Sequence, residues 1–470
     1  MVRLNRGESL PRELARTHLI GAGGSGMSGL AQLLAERGIP VTGCDRTASD
    51  VTDGLNQSEI PISIGHDIGH LSDCDSVIFS SAIRQENPEL ILAKARGLQV
   101  LHRSEALSRL LEGKRIIAVA GTHGKTSSTA MLATALKRHG VDAGVVNGGV
   151  ISEWGVSARW GAAPEFVIEA DESDGSFSNY DPAIVLITNI APDHLDFYGS
   201  IDSIEAAFEN FARSASEAVV LCSDDDGASR LASRLERDVT LIRYGTHESA
   251  DVRLVNFNGG PKASFRVVHR EEFANCELEI PGRLNALNAC GVIASLIAAG
   301  IPLDSAAKAA SGYTGADRRF QFHAEIEGVR FYDDHAHHPT EVSAALETAR
   351  EVAGGGSVIT MFQPHLFSRT RLMAGELAQS FSTGSDHTIF LDICGSREDP
   401  IEGVTSDLII RKMRPGASFE YEPDWDRACD LAIKRAQPGD IILTMSTGDF
   451  YQVVPRLLAA KRNHHGGQNG

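Results

Sequence analysis

The chain has 470 residues, 42% of them hydrophobic and 23% charged, with a formal net charge of −18 at pH 7. That length predicts about three domains with room for large cores. The acidic balance argues against general binding to nucleic acid or anionic membranes, which relies on basic surface. The seven cysteines (44, 74, 222, 276, 290, 394, 429) are scattered, odd in number and without a CxxC pair, so they read as small hydrophobes in a reducing compartment. No apolar stretch is long enough to span a bilayer, and residues 1–16 lack a signal-peptide core. The expectation is a cytoplasmic protein with no nucleic-acid or membrane partner.

Thr17 to Ile20 is a short strand running into Gly21-Ala22-Gly23-Gly24-Ser25-Gly26-Met27, then into a helix with Leu30, Leu33 and Leu34 on one face. Ile39 to Gly43 is a second strand, closing on Asp45. This is a βαβ opening whose glycines 21, 23 and 26 fit GxGxxG, with Asp45 near the distance of a ribose-binding acid. In that context the loop reads as a diphosphate site, for a dinucleotide or another nucleoside diphosphate. Further short strands follow at 60–64, 76–80 and 100–101. Ser80 and Ser81 end one of them and face the same ligand in this reading. His66, after Gly65, reads as a loop histidine. The first domain closes at 113.

Arg115 to Ala120 is a buried strand, and Ser127 to His139 a helix. Between them lies Gly121-Thr122-His123-Gly124-Lys125-Thr126. A strict P-loop would carry glycine at Val119. Even so, strand, loop, Gly-Lys-Thr and helix occur in the order that offers backbone N–H groups and a helix dipole to a polyphosphate. Lys125 is expected to reach the β/γ-phosphates and Thr126 to bind Mg²⁺. The chain thus has two phosphate-binding turns, one suited to a fuel nucleotide and one to the handle of a substrate. A dehydrogenase needs no second loop, and a simple ATPase needs no first.

Two apolar strands, Phe166 to Glu169 and Ala183 to Asn189, end in the acidic runs Glu169 to Asp174 and Asp193 to Asp196. Carboxylates at strand ends beside a P-loop suit Mg²⁺. Ile204, Phe208 and Phe211 mark an amphipathic helix, and 253–279 is rich in β-formers. Asn285 and Asn288 lie one turn apart on one helix face, equally suited to contacting a base or capping the helix. The second domain spans 114–313. A third, 314–470, carries Asp333, Asp334, His335, His337, His338, His365, Arg369 and Arg371 at strand ends. Arg369 and Arg371 offer forks for carboxylate or phosphate. His337 and His338 are poorly spaced as metal ligands and suit a helix N-terminus before Pro339. Residues 463–470 are polar and glycine-rich, and are expected to be disordered.

Taken together, GAGGSGM (21–27), AGTHGKTSS (120–128), EADESDGSF (169–177), TNIAPDHLD (188–196), GRLNALN (282–288), DRRFQ (317–321), DDHAHHPTEV (333–342) and FQPHLFSRTR (362–371) resemble the Mur ligases in order and over nearly the whole chain. The resemblance implies three α/β domains: an N-terminal Rossmann-like UDP-binding domain, a central P-loop ATPase-like domain and a C-terminal Rossmann-like domain. It implies ATP- and Mg²⁺-dependent joining of L-alanine to the lactyl carboxylate of UDP-N-acetylmuramate through an acyl phosphate.

By the same resemblance, Gly121, Thr122, His123, Gly124, Lys125, Thr126 and Ser127 hold ATP, with Asn285, Asn288 and Arg319 also on the nucleotide. Thr126, Glu169 and His194 hold Mg²⁺. Gly21, Gly23, Gly24, Gly26, Asp45, Ser80 and Ser81 hold the UDP moiety, while His365 and Arg369 hold the alanine carboxylate. Lys125, His194, His338 and Arg369 are the expected catalytic residues. The chain departs from the family pattern at His335, Ala336, Leu366 and Phe367, and over Thr444 to Phe450. Two other readings are a related ligase that reattaches a recycled tripeptide to UDP-N-acetylmuramate, and a P-loop ATPase switch. The run Glu172 to Asp174 favours the alanine reaction over the first, and the 21–26 loop speaks against the second.

Overall fold

The computed structural model describes residues 11, 14–235, 239–396 and 398–466. Among them lie three sheets flanked by helices. The first is β1 (Thr17–Ile20), β2 (Val41–Asp45), β3 (Ile62–Ile64), β4 (Ser76–Phe79) and β5 (Gln99–His102), all parallel, in the order β3-β2-β1-β4-β5. Strand order reverses beside β1, so the glycine loop leaves the sheet at its switch point, where open α/β sheets bind ligands.

The second sheet has ten strands: β6 (Arg115–Ala120), β7 (Gly144–Ile151), β8 (Val156–Arg159), β9 (Glu165–Glu169), β10 (Ile184–Ile187), β11 (Ala218–Cys222), β12 (Leu241–Gly245), β13 (Val252–Asn258), β14 (Ala263–His269) and β15 (Glu272–Leu278). The glycine-turn strand β6 sits between β9 and β10, parallel to both. β6 and β10 are buried almost throughout, as expected of parallel strands covered on both faces. The stretch expected to be β-rich forms β13 to β15, which alternate buried and exposed residues and so bury one face.

The third sheet has β16 (Gln321–Ile326), β17 (Val329–Asp334), β18 (Val358–Phe362), β19 (His387–Phe390), β20 (Phe419–Tyr421) and β21 (Ile441–Met445), in the order β16-β17-β21-β18-β19-β20. β16 and β17 pair antiparallel, and the other pairings are parallel.

By compactness the chain forms two units. One holds residues up to 256, with 265–277 and 286–314; the other holds 257–264, 278–285 and everything from Gly315. In the first unit, the first two sheets share one apolar core. Leu33 and Leu34 of the helix Ser25–Glu36 belong to the same buried cluster as Val146, Ala158 and Phe166. Phe177 stacks against Phe208 and Phe211 at 5.4 and 4.7 Å between ring centres, so the amphipathic helix expected from Ile204, Phe208 and Phe211 is pinned under the second sheet.

The structure corrects one expectation and adds to two others. The closing helix Val453–Gly466 continues into the stretch expected to be disordered. Val453, Val454 and Leu457 bury its first turns, and propagation from an anchored nucleus is cheap; residues 467–470 lie outside the described residues. Cys44 packs beside Ile20, Val77 and Leu90 as a small hydrophobe does, and in addition its thiol donates to the buried carboxylate of Glu89. His66 lies in the loop after Gly65, as expected, and its ring turns to that same carboxylate. None of the described helices is long and apolar enough to cross a membrane.

Candidate active site

β6 delivers the chain to the second glycine turn. Gly121 sits at φ 132°, and a Cβ there would lie 2.1 Å from Thr188 Oγ1, so only glycine lets the end of β10 close on the loop. That strand end braces the turn. Asn189 Oδ1 accepts the His123 N–H at 2.9 Å, and the Asn189 amide and Thr188 hydroxyl donate to the His123 carbonyl at 2.9 and 2.6 Å. Thr122 is tied in through its N–H to the Asn189 carbonyl and through its hydroxyl, which accepts from Ala191 N–H. Gly124, at φ 82°, is the left-handed N-cap of the helix Lys125–Arg138. Lys125, Thr126 and Ser127 therefore occupy a first turn whose N–H groups and dipole favour anions. Val119, where a strict P-loop has glycine, is a fully buried residue of β6.

The carboxylates after β9 separate into distinct roles. Glu169 Oε1 accepts from the Thr126 hydroxyl at 3.2 Å, and Oε2 accepts from Gly148 N–H at 2.6 Å. A Cβ on Gly148 would come within 2.6 Å of that carboxylate, so the glycine leaves it room. Asp171 turns back on Ser173. Glu172, absent from the expected site residues, is only 2% exposed, and its oxygens accept from Lys125 Nζ at 2.7 and 2.9 Å. Lys125 also donates to the Gly121 carbonyl at 2.7 Å. Burial opposes the Lys125 charge, but Glu172 and then Asp171 more than offset it and hold the ammonium above its usual range. Burial pushes the Glu172 carboxyl up against the pull of Lys125. Lys125 is thus charged and docked on Glu172.

His194 follows β10, on the other side of β6 from Glu169, at φ 52° with its ring 3.6 Å from Asp193. A left-handed non-glycine residue costs about 1–2 kcal/mol, and such residues concentrate at functional sites. Asn288 lies against the second glycine turn, where a Cβ on Gly124 would be 3.0 Å from its Oδ1. Asn285 donates to the Pro281 carbonyl at 2.7 Å.

At the first glycine loop, Gly21 takes φ 80° and Gly24 caps the helix Ser25–Glu36. Asp45 Oδ2 accepts the Gly23 N–H at 2.9 Å, so this carboxylate holds the loop itself. Arg103 escaped sequence reasoning. It begins the helix Arg103–Leu110, and a Cβ on Gly26 would meet its guanidinium at 2.5 Å, so the loop carries a fixed cation. Ser80, half-buried, follows the end of β4. The Ser81 hydroxyl donates to Asp174 and lies 3.2 Å from His102 Nε2. Burial lowers the pKa of His102 despite Asp174 beside it, 3.6 Å away. Ser81 and Asp174 thereby join the strand-end loops of the first two sheets.

In the second unit, Asp334 closes β17 with Oδ2 accepting from Phe320 N–H at 2.6 Å and Oδ1 from Ala336 N–H at 2.7 Å. Burial raises its pKa to about 7, with Arg319 pulling the other way. Asp333 accepts from the Thr444 hydroxyl at 2.6 Å. Burial also lowers the pKa of His335 and His337, so both rings are neutral at pH 7. His337 stacks edge-on with His365 at 5.8 Å, and His365 Nδ1 is 3.4 Å from Arg369 Nη1. His335 and His337 are therefore uncharged, and the positive charge beside them comes from Arg318, Arg319 and Arg369. Arg371 is exposed. His338 is the N-cap of the helix Pro339–Ala353, in a capping box with Glu341, as its place before Pro339 suggested. Leu366 takes φ 69° at the start of the helix Phe367–Gly384.

Three family models match in succession: "Mur ligase family, catalytic domain" over residues 16–115, "Mur ligase middle domain" over 119–296, and "Mur ligase, glutamate ligase domain" over 318–448. The chain is 48% identical to the UDP-N-acetylmuramate–L-alanine ligase of Clavibacter sepedonicus over 451 residues, covering 96% of this chain and 94% of the relative. The crystal structure of UDP-N-acetylmuramate–alanine ligase from Thermotoga maritima matches with a TM-score of 0.82 at 26% identity, over 96% of this chain and 99% of that one. A murein peptide ligase from Psychrobacter arcticus matches with a TM-score of 0.71 at 25% identity, over 95% and 98%.

Proposed function

The chain belongs to the Mur ligase family, and from that premise we propose that it joins L-alanine to the lactyl carboxylate of UDP-N-acetylmuramate, with ATP as the driving nucleotide, in peptidoglycan precursor synthesis. The observation that carries this reading is the pair of glycine turns in one compact unit. One is armed with Lys125 and Thr126, and the other is crossed by Arg103. Substrates of this kind put the reaction in the cytoplasm.

A carboxylate is a poor acyl donor, because its leaving group would be oxide. The lactyl carboxylate attacks the γ-phosphorus of ATP, giving an acyl phosphate and ADP. The neutral amine of L-alanine then adds to the acyl carbon, and the tetrahedral species expels phosphate to leave the amide. The work falls to positioning and charge neutralisation. Lys125 exchanges Glu172 for phosphate oxygens, and the first-turn N–H groups point at the same anion. We assign the UDP diphosphate to the 21–26 loop with Arg103, and the alanine carboxylate to Arg369 beside His365.

Thr126 and Glu169 present hard oxygen donors 3.2 Å apart, the chemistry that suits Mg²⁺, with His194 after the neighbouring strand as the third expected ligand. When bound, the ion supplies neutralisation of the β/γ-phosphate charge.

The test is product mass and phosphate release from ATP, UDP-N-acetylmuramate and a panel of amines. Release is expected to need both the sugar acid and L-alanine, with glycine and L-serine weaker because small side chains differ little in binding energy. Product formed with a tripeptide but not with L-alanine would replace this reading with the recycling one. ATP hydrolysis independent of both substrates would replace it with the ATPase switch.

A further inference from the structure

On one face of the first sheet, the fold buries a polar cluster that the ligase chemistry does not use. His18 on β1 and Cys44 on the adjacent strand β2 face the same side, and Glu89 enters from the first turn of the helix Pro88–Ala95. His70 comes from the short 3₁₀ turn Ile68–Leu71. One donor atom from each of these four residues lies within 4.8 Å of every other. The Glu89 side chain is fully buried, and its oxygens lie 2.6 Å from His70 Nδ1, 3.0 Å from Cys44 Sγ, 3.1 Å from His66 Nδ1 and 3.9 Å from His18 Nε2.

His18 is the decisive member. Its side chain is 2% exposed, Nδ1 is 2.8 Å from the Thr42 hydroxyl, and Nε2 has no hydrogen-bond partner although it faces the cluster. In the tautomer that donates from Nδ1 to Thr42, Nε2 aims a lone pair at a carboxylate. Two acceptors then meet in a buried space, which a cation between them relieves; in the other tautomer Nε2–H points at Glu89 Oε1, but at 3.9 Å makes no hydrogen bond. A hydrogen bond on the far ring nitrogen is also how proteins orient an imidazole ligand.

We propose that His18, Cys44, His70 and Glu89 form a structural Zn²⁺ site, with His66 at its edge. Imidazole, thiolate and carboxylate are zinc's ordinary ligands. Bond lengths of 2.0–2.3 Å put tetrahedral ligand atoms roughly 3.3–3.7 Å apart, so the three edges to Glu89, at 2.6, 3.0 and 3.9 Å, need adjustments of under an ångström. On binding, Zn²⁺ replaces the Cys44 thiol proton, which leaves to solvent. Thiolate and carboxylate then balance the ion, and both imidazoles stay neutral. His66 and His70 are about a fifth exposed and give the ion an entry path. The site also bears on the first glycine loop, because the Cys44 carbonyl accepts the N–H groups of Gly21 and Ala22 at 2.8 and 2.9 Å.

The full-length chain, purified under reducing conditions and kept in excess Mg²⁺, is analysed for metal and then reconstituted with Co²⁺. The expected result is one tightly held Zn²⁺ per chain. The Co²⁺ form should show intense tetrahedral d–d absorption and a thiolate-to-cobalt charge-transfer band. Cys44→Ser should abolish that band, and His18→Gln should weaken Zn²⁺ binding by about 10–100-fold or more, a loss that even outer-shell changes reach. His70→Gln, at the accessible rim, gives the same affinity reading if Cys44→Ser does not fold. Failure to retain Zn²⁺, a six-coordinate Co²⁺ spectrum, or affinity unchanged in His18→Gln and His70→Gln would each overturn the assignment.

Discussion

Replacing Lys125 with alanine tests both the division of labour between the two glycine turns and the internal ion pair. The substitution removes contacts of 2.7 and 2.9 Å to Glu172 and of 2.7 Å to the Gly121 carbonyl. It leaves a carboxyl group only 2% exposed without its cation. Breaking a buried pair from one side costs about 3–5 kcal/mol when the survivor stays charged. Glu172 has an escape, since its pKa is already raised by burial and rises further once Lys125 is gone. A carboxyl whose folded pKa lies above its unfolded value binds more protons in the folded state. Its contribution to stability is therefore present below the unfolded pKa and is lost as pH rises through the folded one.

Chemical denaturation of Lys125→Ala should accordingly show a deficit against the parent chain that widens from pH 5 to pH 8. Adding Glu172→Gln should recover part of it, with a coupling energy of about 1–3 kcal/mol. Phosphate release should be abolished while calorimetric binding of UDP-N-acetylmuramate stays near the parent value, because Arg103 and the 21–26 loop are untouched. Loss of sugar-nucleotide binding in a folded variant would refute the separation of the two sites. Strictly additive effects of the two substitutions would refute the ion pair.

Glu169→Ala and His194→Ala should each raise the Mg²⁺ concentration needed for half-maximal activity, and an unchanged metal titration in both would remove the ion from these residues. Arg369→Lys should raise the KM for L-alanine by roughly ten- to a hundredfold, from charge-assisted hydrogen bonds worth about 1.5–3 kcal/mol. The KM values for ATP and the sugar nucleotide should change much less; weaker ATP with unchanged alanine would move Arg369 to the phosphate site. Asp334, with a folded pKa raised to about 7, favours its protonated form in the fold. It contributes stability below the ordinary carboxylate range that is lost as pH rises towards 7. Asp334→Asn should flatten that slope in denaturation curves taken between pH 4 and pH 7, and an unaltered slope would contradict it.

Periodicity and punctuation carried the strands that hold the chemistry. β6 is the predicted Arg115 to Ala120, since an unbroken apolar run between charged and glycine boundaries has one plausible fate in a parallel sheet. The hairpin of β7 and β8 was not foreseen. Its sequence, from Gly144 to Arg159, mixes glycines with polar residues, and its pairing is set by the β9 edge and by the helix Ser25–Glu36 lying over it rather than by local alternation.

The site shows the same division. Glycine, lysine and threonine in the 121–126 turn are readable because backbone geometry demands them. The partner of each charge is not readable, because a run such as Glu169-Ala170-Asp171-Glu172-Ser173-Asp174 leaves the sheet as irregular chain with no fixed side-chain period. Only the fold sends Glu169 to Thr126, Glu172 to Lys125 and Asp174 to Ser81. Arg103 and the His18–Cys44–Glu89 cluster were hidden for a related reason. Their members come from different strands and helices, tens of residues apart, and each taken singly has an ordinary reading as a helix-start cation, a core histidine or a small buried thiol. What makes them a site is their convergence on one loop or one carboxylate. Sequence supplies the donors there, and the parallel register of β1 with β2 brings two of them together on one face.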